Sequence, residues 1–166
     1  MQEMVVYGVS FDMVGKQPIV LLKTTDGNRF LPIWVGHPEA AAILMKLQDS
    51  ETPRPMTHDL FAHVLAETET EIVRIAVVDM RDNTFYARIT VKNGDAVHEI
   101  DSRPSDAIAL AIRCRAPIFA DDEVIEQSAI QMEDEGTQNS PAEAEDLVEE
   151  FRQFLEDVRP EEFRED

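Results

Sequence analysis

The sequence predicts an α+β domain built from a duplicated three-strand, two-helix unit. The two sheets are expected to join into one mixed, closed or nearly closed β-structure with helices outside, followed by a C-terminal amphipathic helix. Three observations carry this. Strand-like runs and helix-like runs occur in the order strand, strand, strand, helix, helix, and the same order returns from Glu71. With 43% hydrophobic residues, 166 residues suffice for one domain with a real core. Beyond Gln131 the composition turns polar and acidic, which sets a tail apart from the repeats.

MVVYGVSF, PIVLLKT and RFLPIWV are rich in β-branched and aromatic residues, and turn signals at Val14-Gly15-Lys16 and Asp26-Gly27-Asn28 separate them into two hairpins. PEAAAILMKLQ then favours helix, and THDLFAHVLAE gives a second helix from Thr57. Pro53 and Pro55 between them cannot continue a helix and force a connector. In the second copy, EIVRIAVVDM, TFYARITV and AVHEIDS are strands, with turns at Arg81-Asp82-Asn83 and Lys92-Asn93-Gly94-Asp95. PSDAIALAIRC and DDEVIEQSAI are its helices. Laying Gly36 on Arg103 brings Glu39 onto Asp106, Ala40 onto Ala107 and Ala42 onto Ala109. The domain is thus expected over residues 1–130, a linker over 131–139 and the last helix over 140–166.

That last helix opens on Ser140 as cap, Pro141 in the first turn and Glu143 to complete a capping box. Leu147, Val148, Phe151, Phe154, Leu155 and Val158 follow at three- and four-residue spacing. Burying such side chains is worth roughly 1.5–3 kcal/mol each, so the stripe is expected to dock on the domain core, a second copy in a homo-oligomer, or a protein partner.

The net charge of −19 divides into −11 over residues 133–166, with 14 acids against 3 bases, and −8 over the first 132 residues. Loose adhesion to polyanions is excluded by that balance, because phosphate backbones are held mainly by lysine and arginine. No run approaches the ~18 apolar residues of a membrane span, and the N-terminus has no signal core, so a cytoplasmic protein without membrane contact is expected. Cys114 is a lone cysteine in an apolar helical run and reads as a small buried hydrophobe.

LPIWVGHPEA, RPMTHDL, DNTFYA and DSRPSDAIALAIR with APIF after it resemble the bifunctional nuclease domain family, in order and spacing, over about residues 4 to 126. The resemblance implies an α+β domain and a nuclease that hydrolyses phosphodiester bonds of DNA or RNA. The chain departs from the commoner pattern at His37-Pro38, where many relatives have proline directly after the glycine. Its acidic tail resembles that of actinobacterial members.

Chemistry gathers at helix starts. At the start of PSDAIALAIRC, Arg103, Ser105 and Asp106 have a plain reading: Pro104 fixes the first turn while the serine and the acid satisfy free N–H groups and complement the helix dipole. The functional reading uses the duplication, which sets Glu39 and Asp106 near an internal axis where paired carboxylates would hold Mg²⁺ or Mn²⁺. Arg103, with Arg54 as a second candidate, would then hold the substrate phosphate, and Ser105 would assist. His58 is the candidate general acid or base, since a free imidazole titrates near neutrality. Asp59, a further candidate acid, lies four residues before His63 on one helical face, close enough to hydrogen-bond or share a metal; the plain reading is a local ion pair or a satisfied buried imidazole. Trp34 reads as core, with a ligand contact at the strand end as the second reading. Phe85 and Tyr86 point to opposite faces of their strand, and His98 has no companion. The competing functional class is a non-catalytic regulatory or scaffold protein that captures a partner through its C-terminal helix.

Overall fold

A computed structural model describes residues 1–12 and 15–131. The linker expected from residue 131, apart from Gln131 itself, and the helix with its Leu147 to Val158 stripe lie outside the described residues, as does Val14 of the first expected turn.

Each half of the domain begins as a three-strand meander. β1 (Gln2–Phe11), β2 (Pro18–Thr24) and β3 (Arg29–Trp34) form the first, and β4 (Thr70–Arg81), β5 (Thr84–Asn93) and β6 (Ala96–Ser102) form the second. α1 (His37–Leu47) and α2 (Thr57–Glu67) follow the first meander, and α3 (Pro104–Cys114) follows the second. The turns use the residues the sequence supplies. Asp82 and Asn83 take φ values of 48° and 59° in the two-residue β4–β5 connection, and Gly94 takes φ 57° in the next. Arg115, in left-handed conformation, ends α3.

What joins the halves is a strand the sequence reading missed. β7 (Ile118–Ala120) has only three residues, yet it pairs antiparallel with Gln2 to Met4 of β1 and parallel with Ile75 to Val77 of β4. The result is one eight-stranded mixed sheet in the order β6-β5-β4-β7-β1-β2-β3-β8, where α4 (Asp122–Ser128) precedes the two-residue β8 (Ile130–Gln131). A three-residue strand has too little pattern to stand out from a loop. Its apolar, β-branched character matters only because two meander edges flank it.

Of the two forms expected, closed or nearly closed, full closure does not occur, because no pairing links the end strands β6 and β8 among the described residues. The sheet curls instead. α4 packs on both β4 and β3, which are separated in the strand order by β7, β1 and β2, and it buries Val124 and Ile125 between them. The four helices lie outside the sheet, and a single core cluster takes residues from every long strand except β6, including Val20, Leu31, Ile75 and Ile89.

α1 and α3, the duplicated helices, pack against each other, and α2 packs on α3 and β4. One buried cation ties these three together. The Arg113 side chain is only 7% exposed. Its Nε–H donates to Asp59 Oδ1 of α2 at 2.6 Å, and its two terminal nitrogens donate to Ala42 O of α1 and Ala109 O of α3, both at 3.0 Å. Asp59 Oδ2 also accepts the Met56 N–H at 3.0 Å, so the Asp59 side chain reaches back to cap the start of α2. Burial pushes the Asp59 carboxyl up, but the hydrogen bonds from Arg113 and the Met56 N–H outweigh it and hold the group below its ordinary value.

Asp59→Ala should therefore destabilise the domain by about 3 kcal/mol, because it strands a buried guanidinium. Melting curves should show a fall on the order of 10 °C. A carboxyl depressed in the folded state stabilises fully above its unfolded pKa of about 3.9 and stops doing so as pH falls through the folded value. The gap between native and variant chains should accordingly narrow below about pH 4, and a gap that stays constant down to pH 2 would contradict the pairing.

Candidate functional site

The first turns of α1, α2 and α3 all border one cavity of about 280 Å³, which Lys46 near the end of α1 and Arg113 near the end of α3 also line. Its wall includes Pro38 and Glu39 from the first turn of α1, Thr57, His58 and Asp59 from that of α2, and Arg103 and Asp106 from the start of α3. Three positive helix-dipole ends around one hollow favour an anionic occupant. None of the N-cap residues, Gly36, Met56 and Arg103, caps its own helix with a side-chain hydrogen bond.

The duplication fixes the next step. Glu39 and Asp106 hold the same position in α1 and α3, and both meet Arg103. The Arg103 Nε–H and one terminal nitrogen donate to Asp106 Oδ2 and Oδ1 at 2.7 and 3.2 Å. The other terminal nitrogen donates to Glu39 Oε1 at 3.0 Å. One arginine thus bridges the leading acids of both halves. Glycine at position 36 allows this, since a Cβ there would collide with the Glu39 carboxylate where it folds back over the helix start.

His58 joins from α2. Its Nε2 lies 3.0 Å from Asp106 Oδ1, and its side chain is 16% exposed. Burial raises the Asp106 carboxyl, but the bonds from Arg103 and His58 lower it further, and the group stays below its ordinary value. An ionised carboxylate only accepts hydrogen bonds, so the His58 nitrogen facing it is the donor. That assignment makes Nδ1 the acceptor nitrogen of the neutral ring. Arg103 itself is held protonated, its pKa raised by the Asp106 hydrogen bonds and charge and further by Glu39.

Not every expected residue reaches this cavity. Asp59 lines it, but its companion is Arg113, not His58 or His63. Arg54 faces an adjoining hollow with His63, Lys46 and Asp59. Ser105 is 6% exposed and lines a different hollow, beside Trp34 and Phe85. His98 lies exposed on the edge strand β6. Arg113 was missed by the sequence reading; the signal was a charged residue inside the apolar run AIALAIRC, which implies a buried partner.

A divalent ion fits the donor set poorly. Both leading acids are bonded to Arg103, whose guanidinium supplies between them the positive charge a metal would bring. Among the described residues no three His, Cys, Asp or Glu side chains stand together as a metal-holding group.

No helix among the described residues is long and apolar enough to cross a membrane. The sequence profile of the bifunctional nuclease domain matches residues 20–155. An uncharacterized protein of Mycobacterium tuberculosis is 37% identical over 165 residues, covering 99% of both chains. Bifunctional nuclease 1 of Arabidopsis thaliana is 25% identical over 147 residues, 86% of this chain and 44% of that one. Bifunctional nuclease 1 of rice is 27% identical over 103 residues, 60% of this chain and 31% of that one. With a profile match over most of its length and the motif-bearing helix starts gathered at one cavity, the chain belongs to the bifunctional nuclease domain family.

Proposed function

We propose that this protein hydrolyses phosphodiester bonds of nucleic acid at the cavity between the three helix starts. The observation that carries the reading is the His58 to Asp106 hydrogen bond with Arg103 on the same carboxylate. His58 Nδ1 takes the proton of the attacking water or ribose 2′-hydroxyl as the new P–O bond forms and the P–O bond to the leaving oxygen breaks, that oxygen taking its proton from solvent; Asp106 holds the ring in the tautomer that leaves Nδ1 unprotonated. Of the five N–H groups of Arg103, three are committed to Glu39 and Asp106, which leaves two for a phosphate oxygen. With its side chain 65% exposed, the guanidinium is open to substrate from the solvent side. Glu39 and Asp106 act by positioning it. The helix N-termini favour the phosphate charge, which offsets the acidic field of the chain. No step is routed through a metal, although Mg²⁺ or Mn²⁺ carried in with the substrate phosphates is a separate arm of the test.

The expected outcome is cleavage of single-stranded RNA or DNA by highly purified protein in EDTA, followed by denaturing gel. His58→Ala should lower kcat by roughly 10²–10⁴-fold. Arg103→Ala should lower kcat/KM by roughly 10²–10³-fold, as loss of a charged transition-state donor does. Cleavage that survives in the His58→Ala/Arg103→Ala double variant would remove this site as its source. Absence of cleavage with EDTA, Mg²⁺ and Mn²⁺ alike would leave the scaffold reading. That reading is favoured by one feature, the exposed Leu60, Phe61 and Val64 on α2, a helix with no buried residue.

A further inference from the structure

We propose that the hollow beside the catalytic cavity is a nucleobase subsite, in which Trp34 stacks on an unpaired base of a single-stranded substrate. The inference rests on the nuclease reading and names the form of nucleic acid that the site takes. The hollow measures about 420 Å³ and is lined by Trp34, Phe85, Gln17 and Asn83 together with Glu39 and Arg103. Those last two residues line the catalytic cavity as well, so the hollows meet at the arginine that would hold the phosphate.

Trp34 is the chain's single tryptophan, and it is 50% exposed at the end of β3, two residues before the N-cap of α1. The sequence reading of Trp34 as core does not hold, because alternation along β3 turns it away from the core that buries Ile33 and Val35 on either side of it. It faces the hollow instead, across from Phe85 at the start of β5. The alternation along β5 separates the two adjacent aromatics: Phe85 lines the hollow, while Tyr86 sits under the Arg81 guanidinium at 5.4 Å.

Aromatic surface suits a base because every base has a π-face, and the Gln17 and Asn83 amides each offer a donor and an acceptor to a base edge. A duplex keeps its bases stacked inside, out of reach of such a wall, whereas a single strand can splay one out while its phosphate stays at Arg103.

Because tryptophan occurs once, its emission reports on the surface at Trp34 alone, which this hollow shares with a neighbouring one lined by Met80 and Ile130. The protein should show quenching on addition of a single-stranded oligonucleotide, much less on addition of an abasic oligonucleotide of equal length, and less again with duplex. Trp34→Ala should weaken oligonucleotide binding about ten-fold, within the range of one base–aromatic stack, and Trp34→Phe should restore most of it. The ratio of kcat/KM for the oligonucleotide to that for bis(p-nitrophenyl) phosphate, a diester without a base, should fall by a similar factor in Trp34→Ala. Equal quenching by normal and abasic strands, or an unchanged ratio, would overturn the subsite while leaving hydrolysis at His58 and Arg103 standing. Base-dependent quenching without cleavage of either substrate would keep the subsite and remove the nuclease reading.

Discussion

The buried guanidinium of Arg113 is the constraint on which the site depends. A cation inside a protein must be neutralised and its N–H groups satisfied. Here the partners come from Asp59 on α2, the Ala42 carbonyl on α1 and the Ala109 carbonyl on α3 itself. Three helices are thereby held in fixed relation by one side chain, and their N-termini meet at one cavity. Without that tie, α2 would have little to hold it, since none of its residues is buried. His58 reaches Asp106 only because α2 is anchored one residue further on.

At the cavity the second arginine works differently. Arg103 is largely exposed, and its charge is not needed for packing. It serves as the bridge between carboxylates that duplication has brought face to face. A metal is the common answer to two facing acids; here the protein supplies its own cation. The difference matters for chemistry, because a guanidinium presents N–H donors in a plane suited to phosphate, whereas it cannot acidify a bound water as a metal does. In the proposed mechanism proton abstraction therefore falls to His58, and the proposed base subsite at Trp34 would extend the same surface toward the rest of a substrate.

The six meander strands and the four helices were legible because each carries an internal signal: β-branched runs for the strands, alanine-rich or capped runs for the helices, and Asp82-Asn83 and Gly94 at the hairpin turns; only the end of DDEVIEQSAI departs, since α4 stops at Ser128 and Ile130 enters β8. The pairing of Glu39 with Asp106 was legible through the repeat, which puts equivalent residues near a common axis. β7 was not, since its three residues become a strand only when both edges beside it are in place. Nor was the openness of the sheet, because edge pairing between distant strands has no local signature. Helical spacing alone pairs Asp59 with His63; in three dimensions its hydrogen bond goes to the buried Arg113, 54 residues away, and exposed His63 acts on it only through charge. Arg54 was the second candidate for the phosphate, and the proline-flanked connector sets it at the adjoining hollow.

The coupling between His58 and Asp106 is the point where structure and chemistry meet, and a double-mutant cycle on phosphodiester cleavage measures it directly. If Asp106 acts in part through the imidazole and in part through Arg103, a chain carrying both His58→Ala and Asp106→Asn should lose clearly less activity than the product of the two single losses. Losses that multiply would show the two residues acting independently, and the assignment of Asp106 as the group that orients His58 would then be wrong.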